Sequence, residues 1–227
     1  MQLQMSQDST LVINNQVKCV SYHIPMVGGS ELLDCYLALF GSKGVWKAYQ
    51  YTGAPELNSC NGLPLPASVN LVHGHFLAKQ EQLKLFPNAK RVTWVCDPLD
   101  RVWRLFRHIL TNQHPPKSFD LLKKKYIDSG INSDEELFYC FVKEPEFKNQ
   151  VFAFNYYFKE ASLSEFDFVG DIKHFEKEFK VLSALLTGYV QEPANDNFLE
   201  LAPDTFEHIK LLLKPEYDIV EQYLRRY

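Results

Sequence analysis

A strand-like run, a short glycine-bearing loop and a helical pattern follow one another across residues 17–39, and this junction constrains the fold more than any other stretch. The apolar run ends near His23, the loop carries the pair Gly28-Gly29, and the helical pattern begins at Ser30. At such a junction the loop N–H groups and the unpaired donors of the first helical turn point toward one spot, where the helix dipole adds partial positive charge. We therefore expect an anion to bind at this loop, and a purely structural Gly-Gly turn before the helix is the alternative.

The composition excludes some classes of function. With 227 residues, 46% of them hydrophobic, the chain is long enough to bury a sizeable core, and we expect a single domain over residues 1–227. The 24 Lys and Arg residues stand against 28 Asp and Glu residues, and the resulting net charge of −4 favours neither nucleic acid nor an anionic membrane as a partner. Any anion site must therefore be local.

The cysteines and the N-terminal sequence indicate the compartment. Five cysteines are widely spaced, odd in number and without a C-x-x-C pair, which fits neither a disulfide framework nor a zinc knuckle. No basic segment followed by an apolar one opens the chain, and there is no apolar run of about 18 residues. We expect a soluble, cytoplasmic protein without a membrane span.

Strand-like apolar runs alternate with helical patterns, which is typical of an α/β domain with a mostly parallel sheet. The runs that predict strands are 17–24, 68–73, 89–95 and 166–170, with a further short one at 45–51 inside a loop region. The helical patterns cover 30–40, 77–86, 101–111, 119–129, 134–142, 172–186 and 203–227, the last interrupted by Pro215. We expect residues 1–16 to be a ragged terminus or an edge strand and residues 113–165 to be a helical insertion.

Polar side chains follow three of the predicted strands at the point where each ends: His23, His73 and Asp97. Ligands of parallel α/β sheets bind beyond the carboxyl ends of the strands, so these positions predict a site. In the segment His-Gly-His, either His73 or His75 would accept a proton from a substrate hydroxyl as a neutral imidazole. Because side chains alternate along an extended segment, we expect only one of the two to face the site. A structural histidine is the alternative, and no nearby ligand set completes a zinc site.

One helical pattern also carries arginines at offsets of three residues: Arg101, Arg104 and Arg107. These side chains fall on one side of the helix, and guanidinium groups bind phosphate oxygens through paired hydrogen bonds. The face therefore predicts a phosphate partner, and a solvated basic surface is the alternative.

Four segments, taken in order, resemble the sulfotransferases, the family that includes heparan sulfate 2-O-sulfotransferase. HIPMVGGS at 23–30 resembles the family's phosphosulfate loop HIPKTGGT, and VHGHF at 72–76 resembles its HGH segment. RVTWVCDPLDRVWRLFRHIL at 91–110 resembles RDPxxRxxSxYY, and FDFVGDIKHFEKEFKVLSALL at 166–186 resembles FDFVGLxExFxxSLxLL. The resemblance implies a P-loop-NTPase-like three-layer α/β fold, with a mostly parallel central sheet flanked by helices.

The resemblance also implies an activity. It is the transfer of a sulfuryl group from 3′-phosphoadenosine 5′-phosphosulfate (PAPS) to a hydroxyl of a carbohydrate or other small acceptor, which leaves 3′,5′-adenosine bisphosphate (PAP) and requires no metal. By motif match, the loop around the phosphosulfate consists of Pro25, Met26, Val27, Gly28, Gly29 and Ser30. His75 takes the place of the family's base. Cys96 and Arg104 occupy the positions from which an arginine and a serine hold the 3′-phosphate, and Arg101 lies near them.

The departures from the family pattern affect the donor site. Met26 replaces the loop lysine, which stabilises charge on the leaving group, and loss of such a donor typically lowers the rate about 10²- to 10³-fold. Lys43, Lys47 or an arginine of residues 101–107 would have to supply the missing cation. The alternatives are therefore a catalytically impaired protein that binds nucleotide or glycan without transfer, and a kinase of similar fold. This chain lacks both the loop lysine and the clear acidic pair for Mg²⁺ that a kinase needs, which argues against the kinase.

Overall fold

The computed structural model describes residues 12–112, 117–193 and 201–224. Its strands are β1 (Cys19–Tyr22), β2 (Val45–Ala48), β3 (Leu71–Gly74), β4 (Lys90–Val95) and β5 (Phe168–Asp171). They form one five-stranded sheet in the order β2-β3-β1-β4-β5, and every neighbouring pair is parallel. Strand β1 therefore lies at the centre of the sheet.

Helices occupy the connections between these strands. The α-helices of the described residues are α1 (Gly29–Phe40), α2 (Ala54–Ser59), α3 (Gln82–Leu85), α4 (Pro98–Thr111), α5 (Lys117–Leu122), α6 (Asp134–Lys143), α7 (Lys148–Val151), α8 (Ala153–Tyr157), α9 (Phe175–Thr187), α10 (Glu207–Leu212) and α11 (Lys214–Val220). A π-helical turn spans Lys123–Ile127, and 3-10 turns span Pro145–Phe147, Leu163–Glu165, Ile172–His174 and Glu221–Tyr223. The expected α/β fold with a parallel central sheet flanked by helices is confirmed, and its central strand leads through a short loop into α1.

The central strands are buried on both faces, as parallel strands covered by helices are. All residues of β1 and β3 are buried, whereas the edge strand β2 exposes Lys47. Pairing continues past the end of β1, because the N–H of His23 donates to the carbonyl of Gly74 at 2.9 Å. His23 and the His-Gly-His segment therefore leave the sheet side by side.

The buried apolar side chains form two clusters. The first surrounds the sheet together with α1 and α9 and includes Tyr22 and Trp94. The second lies between α4, α6 and α10, where the rings of Phe106 and Phe138 are 5.1 Å apart. Residues from the predicted insertion 113–165 therefore pack directly on α4.

Helix α4 begins three residues before the predicted start at residue 101. The carboxylate of Asp97 accepts from the N–H groups of Leu99 and Asp100, and Pro98 takes the first helical position, where its missing N–H is not needed. The cap fixes the first turn of α4 directly after β4, at the carboxyl edge of the sheet.

Two other predicted helices are shorter than expected. The pattern over 203–227 forms α10 and α11, with Pro215 in the first turn of α11, and the pattern over 77–86 forms only α3. Outside the described residues lie 1–11 of the predicted terminus 1–16, 113–116 of the predicted insertion and 225–227 of the predicted last helix. Over the ranges that are described, no helix has both the length and the apolar character needed to cross a membrane.

Candidate functional site

The loop between β1 and α1 contains two residues with left-handed backbone conformation, Met26 (φ 69°) and Gly28 (φ 58°). A Cβ on Gly28 would lie 2.6 Å from Cδ1 of Ile172, so the loop packs against the segment that follows β5. A left-handed residue other than glycine costs about 1–2 kcal/mol, so the surrounding structure must hold Met26 in place. The loop is thus held in part by Ile172, which directly follows the edge strand β5.

The first turn of α1 carries N–H groups that no helical carbonyl can pair. No side chain caps this end of the helix, and Ser30 is exposed. One loop donor is already used, because the N–H of Val27 bonds to the carbonyl of Ile24 at 3.2 Å. Glu31, also in the first turn, interacts favourably with the helix dipole and competes with a bound anion. Residues 25–30 thus form a loop that ends in an uncapped helix start.

The imidazole of His23 lies directly against the first residue of α1. A Cβ on Gly29 would lie 2.2 Å from Cε1 and 2.5 Å from Nε2 of His23, so only glycine fits there. His23 is 8% exposed, and its Nε2 is buried without a hydrogen-bond partner among the described residues. An unsatisfied ring nitrogen therefore sits at the uncapped end of the helix.

Three histidines from the ends of β1 and β3 pack together at this point. His23 stacks on His73, with ring centroids 5.0 Å apart, and its Nδ1 shares a hydrogen bond of 3.0 Å with Nε2 of His75. Nδ1 of His73 bonds to Oγ of Ser21 at 3.0 Å. Both His73 and His75 contact His23, but His73 is fully buried whereas His75 is half-buried. That only one of the two faces a substrate stays a prediction.

Burial keeps these imidazoles neutral. It lowers the pKa of His73 from its ordinary value of 6.5 to about 3, with a further contribution from His75, and it lowers the pKa of His75 to about 4. Burial and then the two neighbouring histidines hold the pKa of His23 well below its ordinary value. In the ranges that the structure describes, no three His, Cys, Asp or Glu side chains are arranged to hold a metal ion. The cluster is a set of neutral rings, each of which is able to donate at one nitrogen and accept at the other.

Arg104 brings a positive charge to Cys96, directly after β4. Its NH2 donates to Sγ of Cys96 at 3.0 Å, and its Nε donates to the carbonyl of Asp100 at 3.1 Å. Burial raises the pKa of the Cys96 thiol to about 12, against the opposing effect of Arg104 and Arg101, so the thiol is not ionised at neutral pH. The guanidinium of Arg104, from the second turn of α4, thus lies against the side chain of Cys96.

Arg101 lies in the protein interior. Its NH1 donates to the carbonyl of Gln150 at 3.0 Å and its NH2 to that of Val151, and Glu216 lies 3.7 Å from NH2. Its guanidinium carbon is also 5.4 Å from the ring centre of Phe154. These contacts commit Arg101 to packing α4 against residues 150–154 and α11. The alternative of a solvated basic surface on α4 does not hold for Arg101 and Arg104, because both are buried.

Replacement of Glu216 by glutamine is expected to lower the free energy of unfolding by about 2–3 kcal/mol. The carboxylate of Glu216 faces Arg101 and accepts from the N–H groups of Phe154 and Asn155, so its loss leaves a buried cation without a counter-charge. Urea unfolding followed by circular dichroism measures the change. The matched control is Asp218→Asn, which removes an exposed pair with Lys214 and is expected to change stability by less than about 0.5 kcal/mol. Equal effects of both substitutions would contradict a structural role for the buried pair.

Lys173 is a cation near the loop that the sequence analysis missed. It follows Ile172, the residue in contact with Gly28, and its side chain is exposed. Burial raises the pKa of Asp100 in the first turn of α4, and Lys173 is one of the nearby groups that oppose this rise, so it lies on the side of the site where α4 begins. The sequence does single out this lysine: within the segment 166–186, Lys173 stands where the pattern FDFVGLxExF has glutamate.

The other lysines that were expected to replace the loop cation lie farther along the sheet. Lys47 is on the edge strand β2, Lys43 precedes that strand, and β3 separates both from β1. The structure therefore brings together the loop 25–30, His23, His75 and the segment with Lys173, with Arg104 beside Cys96.

No family model and no curated protein matches this chain. Among solved structures, it is similar to a sulfotransferase from Alicyclobacillus acidocaldarius, with a TM-score of 0.49 and 13% sequence identity, covering 92% of this chain and 96% of that one. It is also similar to mouse sulfotransferase SULT7A1 complexed with PAP, with a TM-score of 0.40 and 11% identity, covering 96% of this chain and 73% of that one. These likenesses concern the fold, and neither assigns an activity to this chain.

Proposed function

We propose that this protein is a sulfotransferase that binds PAPS at residues 25–30 and transfers its sulfuryl group to a hydroxyl of a carbohydrate or another small acceptor. The observation that carries the proposal is the hydrogen bond between His23 and His75 at the start of α1. It supports the proposal because it links the imidazole of His75, through His23, to an uncapped helix end that favours anions. In-line transfer from a phosphosulfate requires an anion site and a nearby base.

The proposed reaction has one bond formed and one broken at sulfur. The acceptor oxygen forms the new S–O bond, and its proton passes to His75. The bond between sulfur and the bridging oxygen breaks, and its electron pair stays on the 5′-phosphate of PAP. The loop N–H groups and the Ser30 hydroxyl would hold the phosphosulfate, Arg104 would face the 3′-phosphate beside Cys96, and Lys173 would supply positive charge in place of the family's lysine. Arg101 has no place in this scheme, because its guanidinium is committed to the interior.

The second proposal is a protein that binds the nucleotide and does not transfer. Two observations favour it: Met26 offers no donor to the leaving group, and the lowered pKa of His75, about 4, makes it a weak base at neutral pH. The two proposals share the nucleotide site and differ only in the chemical step, so binding and transfer must be measured separately.

Transfer is expected to depend on His75. With labelled PAPS and a panel of glycans and hydroxylated small molecules, His75→Ala should lower the rate of transfer about 10²-fold, the low end of general base catalysis, because so weak a base contributes less than a well-matched one. Affinity for PAP, measured by titration calorimetry, should stay within about threefold. His108→Ala is the control, since His108 is an exposed histidine on α4.

Each outcome bears on one part of the proposal. An unchanged rate in His75→Ala removes His75 from the reaction. Binding of PAP without transfer to any acceptor favours the second proposal. Failure of PAP to bind removes both, because both place the nucleotide at residues 25–30.

A further inference from the structure

The hydrogen bond between His23 and His75 has two possible directions. Both rings are neutral, so each carries one proton, and the bond joins Nδ1 of His23 to Nε2 of His75. In the first arrangement His23 donates from Nδ1, its Nε2 is a bare lone pair, and the proton of His75 lies on Nδ1. In the second arrangement His75 donates from Nε2, His23 carries its proton on Nε2, and Nδ1 of His75 is a bare lone pair. The protons of the two rings are therefore coupled.

The ends of this pair face different groups. Nε2 of His23 lies against Gly29, at the uncapped start of α1, and has no partner among the described residues. The half-buried His75 forms no hydrogen bond through Nδ1 within the described part of the chain. One end of the pair therefore lies at the expected anion site, and the other end, on a half-buried ring, has no partner among the described residues.

Without a bound anion, the helix favours the first arrangement. Partial positive charge at the start of α1 attracts the lone pair on Nε2 of His23 and disfavours an N–H there. In that arrangement Nδ1 of His75 carries a proton, and His75 has no lone pair for a substrate hydroxyl.

We propose that an anion bound at residues 25–30 accepts a hydrogen bond from Nε2 of His23 and thereby reverses the bond to His75, which leaves Nδ1 of His75 free to accept the acceptor's proton. The inference rests on the proposed function, because the anion is the phosphosulfate or phosphate of the nucleotide. His23 is then an anion ligand and a positioning residue for His75. The shared proton moves from Nδ1 of His23 to Nε2 of His75, the proton on Nδ1 of His75 leaves to solvent, and a proton from solvent reaches Nε2 of His23. Each ring again carries one proton, so the switch changes no net charge.

This coupling makes the base depend on the bound nucleotide. His75 becomes a proton acceptor only while an anion occupies the loop, so the acceptor hydroxyl is activated only when a nucleotide is bound. The low pKa values of both rings support the scheme, since a charged ring would donate at both nitrogens and could not switch.

Nitrogen NMR tests the proposal on the full chain. In ¹⁵N-histidine-labelled protein, long-range spectra identify which ring nitrogen carries the proton, and spectra are recorded with no ligand, with PAP and with inorganic sulfate. We expect the protons of His23 and His75 to move from Nδ1 to Nε2 when PAP binds, while the exposed His108 serves as an internal control. Unchanged ring protonation with PAP bound overturns the proposal.

Two substitutions at His23 separate its two nitrogens. His23→Asn places an amide near the position of Nδ1, so it keeps a partner for His75 and loses the anion contact. PAP affinity should fall about 10- to 100-fold. In His23→Gln the longer side chain places its amide near the position of Nε2, so this variant keeps the anion contact and loses the partner of His75. PAP affinity should stay within about threefold, while the proton on His75 no longer responds to PAP. The reverse pattern, or the same loss in both variants, overturns the proposal.

The outcomes also separate this inference from the proposed function. PAP binding without a change in ring protonation leaves the proposed function standing and overturns the switch. A switch with inorganic sulfate but no binding of PAP supports the switch and removes the nucleotide from the proposed function. Binding of neither ligand overturns both.

Discussion

Acidification from pH 6.5 to about pH 4.5 is expected to lower the free energy of unfolding by about 5 kcal/mol through His73 and His75 alone. The pKa of each is depressed in the folded protein, to about 3 and about 4, whereas each returns to 6.5 on unfolding. Below pH 6.5 the unfolded chain therefore binds more protons than the folded protein. This contribution to the free energy of unfolding is fully present above pH 6.5, and it is lost as the pH falls toward the pKa values of the folded protein.

The size of this effect follows from two titrating groups over about two pH units, at about 1.4 kcal/mol for each group and unit. The total stability of a typical domain is about 5–15 kcal/mol, so the protein should unfold or come close to it near pH 4.5. The pKa of His23 is also lowered by burial and by the two other histidines, and His23 acts in the same direction.

Urea unfolding at a series of pH values measures the slope of the free energy of unfolding against pH. His73→Asn should reduce this slope by about one proton between pH 6 and pH 4.5, because asparagine does not titrate and its amide replaces the nitrogen that bonds Ser21. The slope is the readout, so a general loss of stability in the variant does not obscure the result. An unchanged slope in His73→Asn would mean that His73 is protonated in the folded protein.

The sequence predicted the central features of the fold because they depend on local patterns. Buried runs alternate with helical periodicity, and this alternation is sufficient to indicate a parallel α/β sheet. The loop and the start of α1 followed from His23, the pair Gly28-Gly29 and the pattern beginning at Ser30, all of which lie within ten residues. The secondary structure of such a short segment could be inferred without knowledge of the residues that pack on it.

The remaining features depend on contacts between distant segments. The periodicity of α4 showed that Arg101 and Arg104 share a side of the helix but could not show that residues 150–154 and Glu216 cover that side. Similarly, the bond between His23 and His75 joins residues 52 positions apart and requires the register of β1 against β3. A pattern along one element does not determine its partner.

Introduction of lysine at position 26 is expected to raise the rate of sulfuryl transfer about 10²- to 10³-fold, because a positioned donor to the leaving group is restored. The backbone should accept the change, since Met26 already has φ 69° and both side chains are unbranched at Cβ. Met26 is half-buried and packs against the second hydrophobic cluster, and the aliphatic stem of lysine can keep that contact while its ammonium group reaches out. Single-turnover measurements with labelled PAPS give the rate of the chemical step.

Met26→Leu is the matched control, because leucine keeps the apolar contact and adds no charge, and its rate should equal that of the native protein. A gain of less than about tenfold in Met26→Lys would mean that the native site already has its cation. Lys173 is the group placed to provide it, so Lys173→Ala should then lower the native rate by about 10²-fold. If neither position affects the rate, no positive charge acts on the leaving group from this loop, and residues 25–30 are not the phosphosulfate site.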